Sequence, residues 1–96
     1  MYTIAALYHF TRFEDPAAIK PDLLTLCMDQ NVQGTLLLAK EGVNGTIAGP
    51  RRGVNAVIAH LRRLPGCADL EWKTAVSDHA PFGKMKVRLK REIVTM

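Results

Sequence analysis

The chain has 96 residues, of which 48% are apolar and 23% are charged, and its formal net charge is +4. A chain of this length can bury one hydrophobic core, and its high apolar content with nearly balanced charges excludes an intrinsically disordered protein. The longest clear apolar run, residues 35–39, is far shorter than the ~20 residues of a membrane-spanning helix, and the N-terminus does not resemble a secretory signal. We therefore expect one cytoplasmic domain without a membrane partner.

The first part of the chain is predicted to form a strand, a helix and a second strand. Residues 3–10 are rich in large apolar side chains, which is typical of a strand. Asp15-Pro16 is a common helix start, and the helix is expected over residues 15–30. Pro21 either kinks its first turn or marks the point where the regular helix begins. Residues 33–40 are almost entirely apolar in their middle, which predicts a strand buried on both faces. Helical spacing places Ile19, Leu23, Leu26 and Cys27 on the core side of the helix.

A turn-rich segment then joins the second strand to a third. Asn44-Gly45 is a common tight-turn pair, although the chain could equally turn at Glu41-Gly42. Residues 46–48 continue as the third strand. Two interpretations are compatible with this segment: a purely structural hairpin, or a hairpin whose tip contacts RNA or a partner domain through Lys40 and Asn44.

The last part of the chain is predicted to form a helix and two strands. Residues 54–64 carry a single apolar stripe at helical spacing, and residues 70–76 alternate as in a half-buried strand, with Trp72 expected in the core. Residues 84–94 alternate again until Arg91, which indicates a bulge or the end of pairing before Ile93. The apolar stripe of the second helix consists of Val54, Val57, Ile58, Leu61 and Leu64.

This order of elements, β-α-β-β-α-β with a trailing strand, predicts an α+β, ferredoxin-like fold. We expect a four-stranded antiparallel sheet with both helices on one face and an extra basic strand at the C-terminus. The other face of the sheet would be open for a ligand or a partner domain. Such an exposed face would also favour a homodimer of the isolated domain.

The positive charge is concentrated near the C-terminus. Basic and acidic side chains balance over residues 1–83. A local excess of positive charge attracts polyanions such as nucleic acid, and cations on alternate residues of a strand, about 6.6 Å apart, would contact phosphates without reading bases. The alternative is a solvated edge strand whose lysines prevent aggregation. The excess consists of Lys84, Lys86, Arg88, Lys90 and Arg91, set against Glu92 alone.

Few side chains point to catalysis or metal binding. Cys27 and Cys67 have no neighbouring cysteine at zinc-ligand spacing, so we interpret them as reduced, buried thiols. The histidines do not share metal-ligand spacing either. We predict no catalytic residue, no metal and no cofactor in this domain. Phe82 and Trp72 are candidates for stacking on bases.

Several segments resemble one protein family. Residues 8–16 and 37–49 are similar to the bacterial rhodanese-like tRNA uridine hydroxylase family, and so are Pro81-Phe82 and residues 86–95. The resemblance implies a parent oxidoreductase that hydroxylates the wobble uridine of tRNA with molecular oxygen. It also implies that residues 1–96 form a single ferredoxin-like (acylphosphatase-like) N-terminal domain. A rhodanese domain carrying the catalytic cysteine is expected downstream and is absent from this chain.

Three functional hypotheses follow from the residues and the resemblance. The first is a non-catalytic accessory domain that binds the tRNA backbone, and the second is an interaction module that packs on the rhodanese domain without contacting RNA. The third is an acylphosphatase-like hydrolase using Arg12 and Asn44, although residues 11–15 have no glycine for a phosphate cradle. The candidate RNA contacts are Lys84, Lys86, Arg88, Lys90, Arg91, Lys40, Asn44, Arg51 and Arg52, and the family-motif hairpin residues are Glu41, Gly42, Asn44 and Gly45.

Overall fold

A computed structural model of the chain describes residues 1–91. Its five-stranded sheet has the order β4-β1-β3-β2-β5, in which β5 lies parallel to β2 and the other neighbouring strands are antiparallel. This is the predicted α+β ferredoxin-like arrangement, with a mixed sheet rather than a wholly antiparallel one. The elements are β1 (Tyr2–Phe10), α1 (Pro16–Asp29), β2 (Gln33–Ala39), β3 (Gly42–Gly49), α2 (Arg51–Arg62), β4 (Glu71–Ser77) and β5 (Met85–Leu89).

Both helices cover the same face of the sheet. Helix α1 packs on β2 and β5, and α2 packs on β1 and β3. The α2 stripe is confirmed, because Val54, Val57, Ile58 and Leu61 are all buried. Pro16 is at the start of α1, where a proline costs no hydrogen bond, and Pro21 lies inside the helix, so the chain tolerates it without ending the helix there. The core between the layers is formed mainly by Leu23, Cys27, Leu36, Leu38, Val43, Ile47, Val57 and Leu61.

The β2–β3 turn lies earlier than either predicted position. The chain turns at Lys40 and Glu41, and β3 already begins at Gly42. Asn44-Gly45 is therefore inside a strand, and the tight-turn prediction was wrong. The physical reason for Gly45 is close approach rather than turning: its φ is 157°, and a Cβ there would collide with the backbone of Thr35 on β2.

Burial along β2 and β4 also differs from prediction. Strand β2 alternates, with Leu36 and Leu38 buried toward the helices and Thr35 and Leu37 only half-buried on the other side, so it is not buried on both faces. Strand β4 is an edge strand whose first six residues are all exposed. Trp72 is accordingly 36% exposed rather than part of the core, and the guanidinium of Arg62 lies 5.5 Å from its ring centroid.

Strand β5 is shorter than predicted. It ends at Leu89, and its pairing runs from Gly34 opposite Met85 to Leu38 opposite Leu89. Residues 92–94, which were predicted to belong to the same strand, lie outside the described residues, as does the expected bulge near Ile93. Within residues 1–91, no helix is long and apolar enough to span a membrane.

Candidate nucleic-acid interface

The face of the sheet opposite the helices is uncovered, and we call it the open face. Side chains alternate along a strand, and in β1 Ala5 and Leu7 are buried toward the helices. The residues that alternate with them, Ala6, Tyr8 and Phe10 among them, therefore point to the open face, and the strand register carries this assignment across the sheet. The central part of the open face consists of Ala6, Tyr8, Phe10, Thr35, Leu37, Asn44, Thr46, Lys86 and Arg88.

Two rows of aligned residues cross this face from β5 to β1. In the first row, Arg88 lies opposite Leu37, then Asn44, then Tyr8. In the second row, Lys86 lies opposite Thr35, then Thr46, then Ala6. Both cations are exposed. The structure thus places Asn44 and the two cations of β5 on one surface, at about 4.8 Å per strand step.

The predicted cations beyond the ends of β5 are also tied to β2. The Lys84 carbonyl accepts a hydrogen bond from the Gly34 N–H at 2.8 Å, and the Lys90 N–H donates to the Leu38 carbonyl at 2.8 Å. The exposed backbone from Lys84 to Lys90 therefore follows the sheet edge closely. Because four cations occupy alternate positions along this held segment, the edge presents a continuous line of positive charge.

Lys40 joins one end of this line, whereas Arg51 and Arg52 do not. Lys40, Lys90 and Arg91 line one cleft of about 440 Å³ beside the start of α1, together with Glu14 and Asp15. Arg51 and Arg52 open α2 in the helix layer over β1 and β3, on the opposite side of the sheet. The structure therefore separates these two arginines from the other predicted contacts.

Two aromatic residues of the open face were missed by the sequence analysis. Tyr8 and Phe10 meet edge to face, with ring centroids 4.8 Å apart and planes at 85°. Phe10 is 57% exposed. Alternation along β1 puts both rings on one side of the strand, but the sequence does not show that this is the side that the helices leave uncovered. Of the aromatic candidates chosen instead, Trp72 lies on the helix side beneath Arg62, and Phe82 lies in the loop before β5.

The hairpin turn is bonded to the loop after β1. The Thr11 N–H donates to the Glu41 carbonyl and the Phe13 N–H donates to the Lys40 carbonyl, both at 2.9 Å. These loop amides are already used, so they are not free to cradle a phosphate. Arg12 is exposed beyond the end of β1, whereas Asn44 lies further back on the open face opposite Tyr8.

The thiols are placed as buried core groups. Cys27 and Cys67 are both free and fully buried. Burial raises the pKa of Cys27 to about 11 and also raises the pKa of Cys67. A thiol with a raised pKa is a poor nucleophile at neutral pH. Over residues 1–91 there is no group of three or more His, Cys, Asp or Glu side chains arranged to hold a metal ion.

Known proteins place the chain in a family. The tRNA uridine(34) hydroxylases of Ruegeria pomeroyi and Roseobacter denitrificans are 78% and 72% identical to it over its full length, which spans 32% of each relative. Among solved structures, a Klebsiella pneumoniae BlrP1 complex with calcium and cyclic diGMP is similar over 95% of this chain and 24% of its own, at 16% identity and a TM-score of 0.68. An acylphosphatase from Coxiella burnetii is similar over 93% and 90% of the two chains, at 9% identity and a TM-score of 0.54. Residues 2–93 match the family described as UPF0176 acylphosphatase like domain, and the chain belongs to that family.

Proposed function

We propose that this chain is the accessory domain of a cytoplasmic tRNA-modifying enzyme and that it binds the tRNA backbone. The parent enzyme would hydroxylate tRNA uridine, because the relatives in Ruegeria and Roseobacter are named tRNA uridine(34) hydroxylases. The sequence resemblance implies molecular oxygen as its oxidant. The chain spans 32% of their length, and the resemblance implies that the catalytic cysteine belongs to a rhodanese domain of the parent enzyme. This domain would itself hold no cofactor.

One observation supports backbone binding above the others. Lys86 and Arg88 project from the β5 edge onto the open face, and the main chain on either side of them is hydrogen-bonded to β2. Cations spaced along a fixed strand can contact successive phosphates without a further loss of backbone freedom. Phosphate contacts of this kind release counterions, so the affinity must fall steeply with salt.

The test is a tRNA titration of the chain at several salt concentrations. The double variant Lys86→Glu with Arg88→Glu should bind more weakly and show a shallower salt dependence, by about 0.7–0.9 per lost phosphate contact in a plot of log K against log salt. The matched control, Arg51→Glu with Arg52→Glu, makes the same change in net charge on the opposite layer. Equal losses in the two double variants, or binding that ignores salt, would contradict the proposal.

A second function is favoured by the apolar part of the same strand. Leu89 ends β5 with 45% of its surface exposed, and the hairpin turn lies nearby. Contiguous exposed apolar surface suits a packed partner domain, and the open face beside β5 adds half-buried Leu37 and exposed Phe10. In this case the β5 charge reversals would leave tRNA affinity unchanged and lower the melting temperature of the whole protein, whereas the tRNA-binding function predicts the reverse pattern.

The geometry gives little support to an acylphosphatase-like activity. Such chemistry needs free backbone amides around the phosphate, and the Thr11 and Phe13 amides are bonded to the hairpin. Arg12 also lies beyond the end of β1, whereas Asn44 lies within the sheet opposite Tyr8. An acyl-phosphate hydrolysis assay on the chain should therefore give no turnover.

A further inference from the structure

We propose that the open face binds an unpaired nucleobase of single-stranded RNA, stacked on the ring of Phe10. This inference deepens the proposed function, because it relies on the cations of β5 to hold the neighbouring phosphates. It adds a ligand class that phosphate contacts alone do not specify: a base that is free of a double helix.

Phe10 is placed where a base could stack on it. This residue is 57% exposed and lies on the open face at the last position of β1, so it is not part of the core. Its orientation is nevertheless defined by the edge-to-face contact with Tyr8 at 4.8 Å. An aromatic ring held at a sheet surface with its area uncovered is a platform on which any base can stack.

Polar groups lie beside this ring, namely the Tyr8 hydroxyl and the Asn44 amide. Within residues 1–91, the Tyr8 hydroxyl is buried and has no hydrogen-bond partner. Buried hydroxyls almost always have one, so this oxygen would gain a partner if the groups covering it moved aside for a polar group of a bound base. Asn44 is the residue directly opposite Tyr8 on β3 and is half-exposed. Its amide provides donors and acceptors of the kind that the polar edge of a base requires.

Positive charge lies on the same face as Phe10. The row that contains Tyr8 continues through Asn44 and Leu37 to Arg88, three strand steps or about 14 Å away. A short single strand with one base on Phe10 can therefore extend across the open face toward Arg88 and Lys86. On β4 the two rows end at exposed Glu71 and Lys73, so together they carry three cations and one carboxylate. This excess of positive charge favours the phosphates of RNA over a protein as the occupant of the face.

An unpaired strand fits this surface better than a duplex. In an RNA duplex the bases are stacked on each other, and the major groove is too narrow for side chains to read. A base reaches Phe10 only when it is free to leave such a stack. The anticodon loop and the ends of a tRNA contain bases of this kind.

The experiment compares a short fluorescent oligouridine with a duplex RNA of the same length, each titrated with the 96-residue chain. Phe10→Ala should weaken binding of the oligouridine roughly 5- to 100-fold, the loss expected for one stacked base, with no change in the salt slope. Phe10→Trp should retain the affinity, and duplex binding should be the same in all these proteins. Val76→Ala is the matched control, because Val76 is also an exposed apolar residue (67%) but lies on β4 away from this ring.

The outcomes separate this inference from the proposed function. If Phe10→Ala binds oligouridine as tightly as the unchanged chain, while the β5 charge reversals still reduce salt-dependent binding, base stacking is wrong and backbone binding stands. If Phe10→Ala weakens duplex and oligouridine equally, stacking is again wrong. If the chain binds neither RNA, both ideas fail, and a partner domain becomes the occupant of the face. Melting curves of each variant verify that it is folded, and exposed Phe10 can be replaced without opening the core.

Discussion

Gly45 lies where β3 and β2 leave no room for a side chain. A Cβ at this position would collide with the Thr35 carbonyl oxygen and approach the Leu36 Cα, both of which belong to the sheet backbone and cannot rotate away. We expect Gly45→Ala to lower the free energy of unfolding by about 2 kcal/mol or more, because overpacking and an unfavourable φ act together. Urea denaturation measures the change.

Gly83 provides the matched control for this substitution. A Cβ there would meet nothing within 4 Å, so Gly83→Ala should change stability by no more than about 0.5 kcal/mol. Similar losses at both positions would mean that the β2–β3 backbone can separate to admit a methyl group, and that Gly45 is not required by close packing.

At the scale of single elements, α1 contains an avoidable defect. Pro21 is exposed inside the helix, where it has no N–H to donate to the carbonyl one turn earlier. Pro21→Ala should therefore stabilise the protein by about 1–3 kcal/mol, measured as a higher urea midpoint. Pro16→Ala should not stabilise it, because Pro16 begins the helix, where proline is favourable. A gain at Pro16 equal to that at Pro21 would contradict this explanation.

The same elements show what local patterns can and cannot predict. The stripe of α2 was predictable because each of its apolar residues faces the core, so the period of the sequence is the period of burial. The turn at Lys40 and Glu41 was missed because Asn44-Gly45 has the same composition whether it turns or lies in a close-packed strand. The exposure of Trp72 depends on β4 being at the sheet edge, which is a property of strand order rather than of β4 itself.

Some residues of the candidate site could be proposed from the sequence and others could not. The cations of β5 were found because their alternation is visible within one short segment. Phe10 and Tyr8 were overlooked because large apolar residues in a strand are usually core; only the position of the helices, all on the side of Ala5 and Leu7, reveals that these rings are on the uncovered side. Arg51 and Arg52 were included because charge in sequence does not show which layer carries it.

At the scale of the whole molecule, the helix layer and the sheet enclose a core without charge. Over residues 1–91 no charged side chain is buried, and the titratable groups in the core are the thiols of Cys27 and Cys67. The free energy of unfolding should therefore fall when these thiols ionise at alkaline pH. Burial raises the pKa of Cys27 from 9.0 to about 11 because the thiolate would lose its hydration.

The sign of the pH effect follows from this shift. Above pH 9 the unfolded chain releases the Cys27 proton while the folded protein keeps it. The contribution of the protonated thiol to the free energy of unfolding is therefore intact below pH 9 and is lost as the pH rises through about 11. At pH 11 the loss should be about 2 kcal/mol. Cys27→Ala should abolish this component, so its stability should decline less between pH 8 and 11 in urea denaturation. Val57→Ala, a core truncation without a titratable group, should be destabilised at every pH and keep the full decline in stability between pH 8 and 11. Parallel curves of stability against pH for Cys27→Ala and the unchanged protein would show that the alkaline loss of stability arises outside the core.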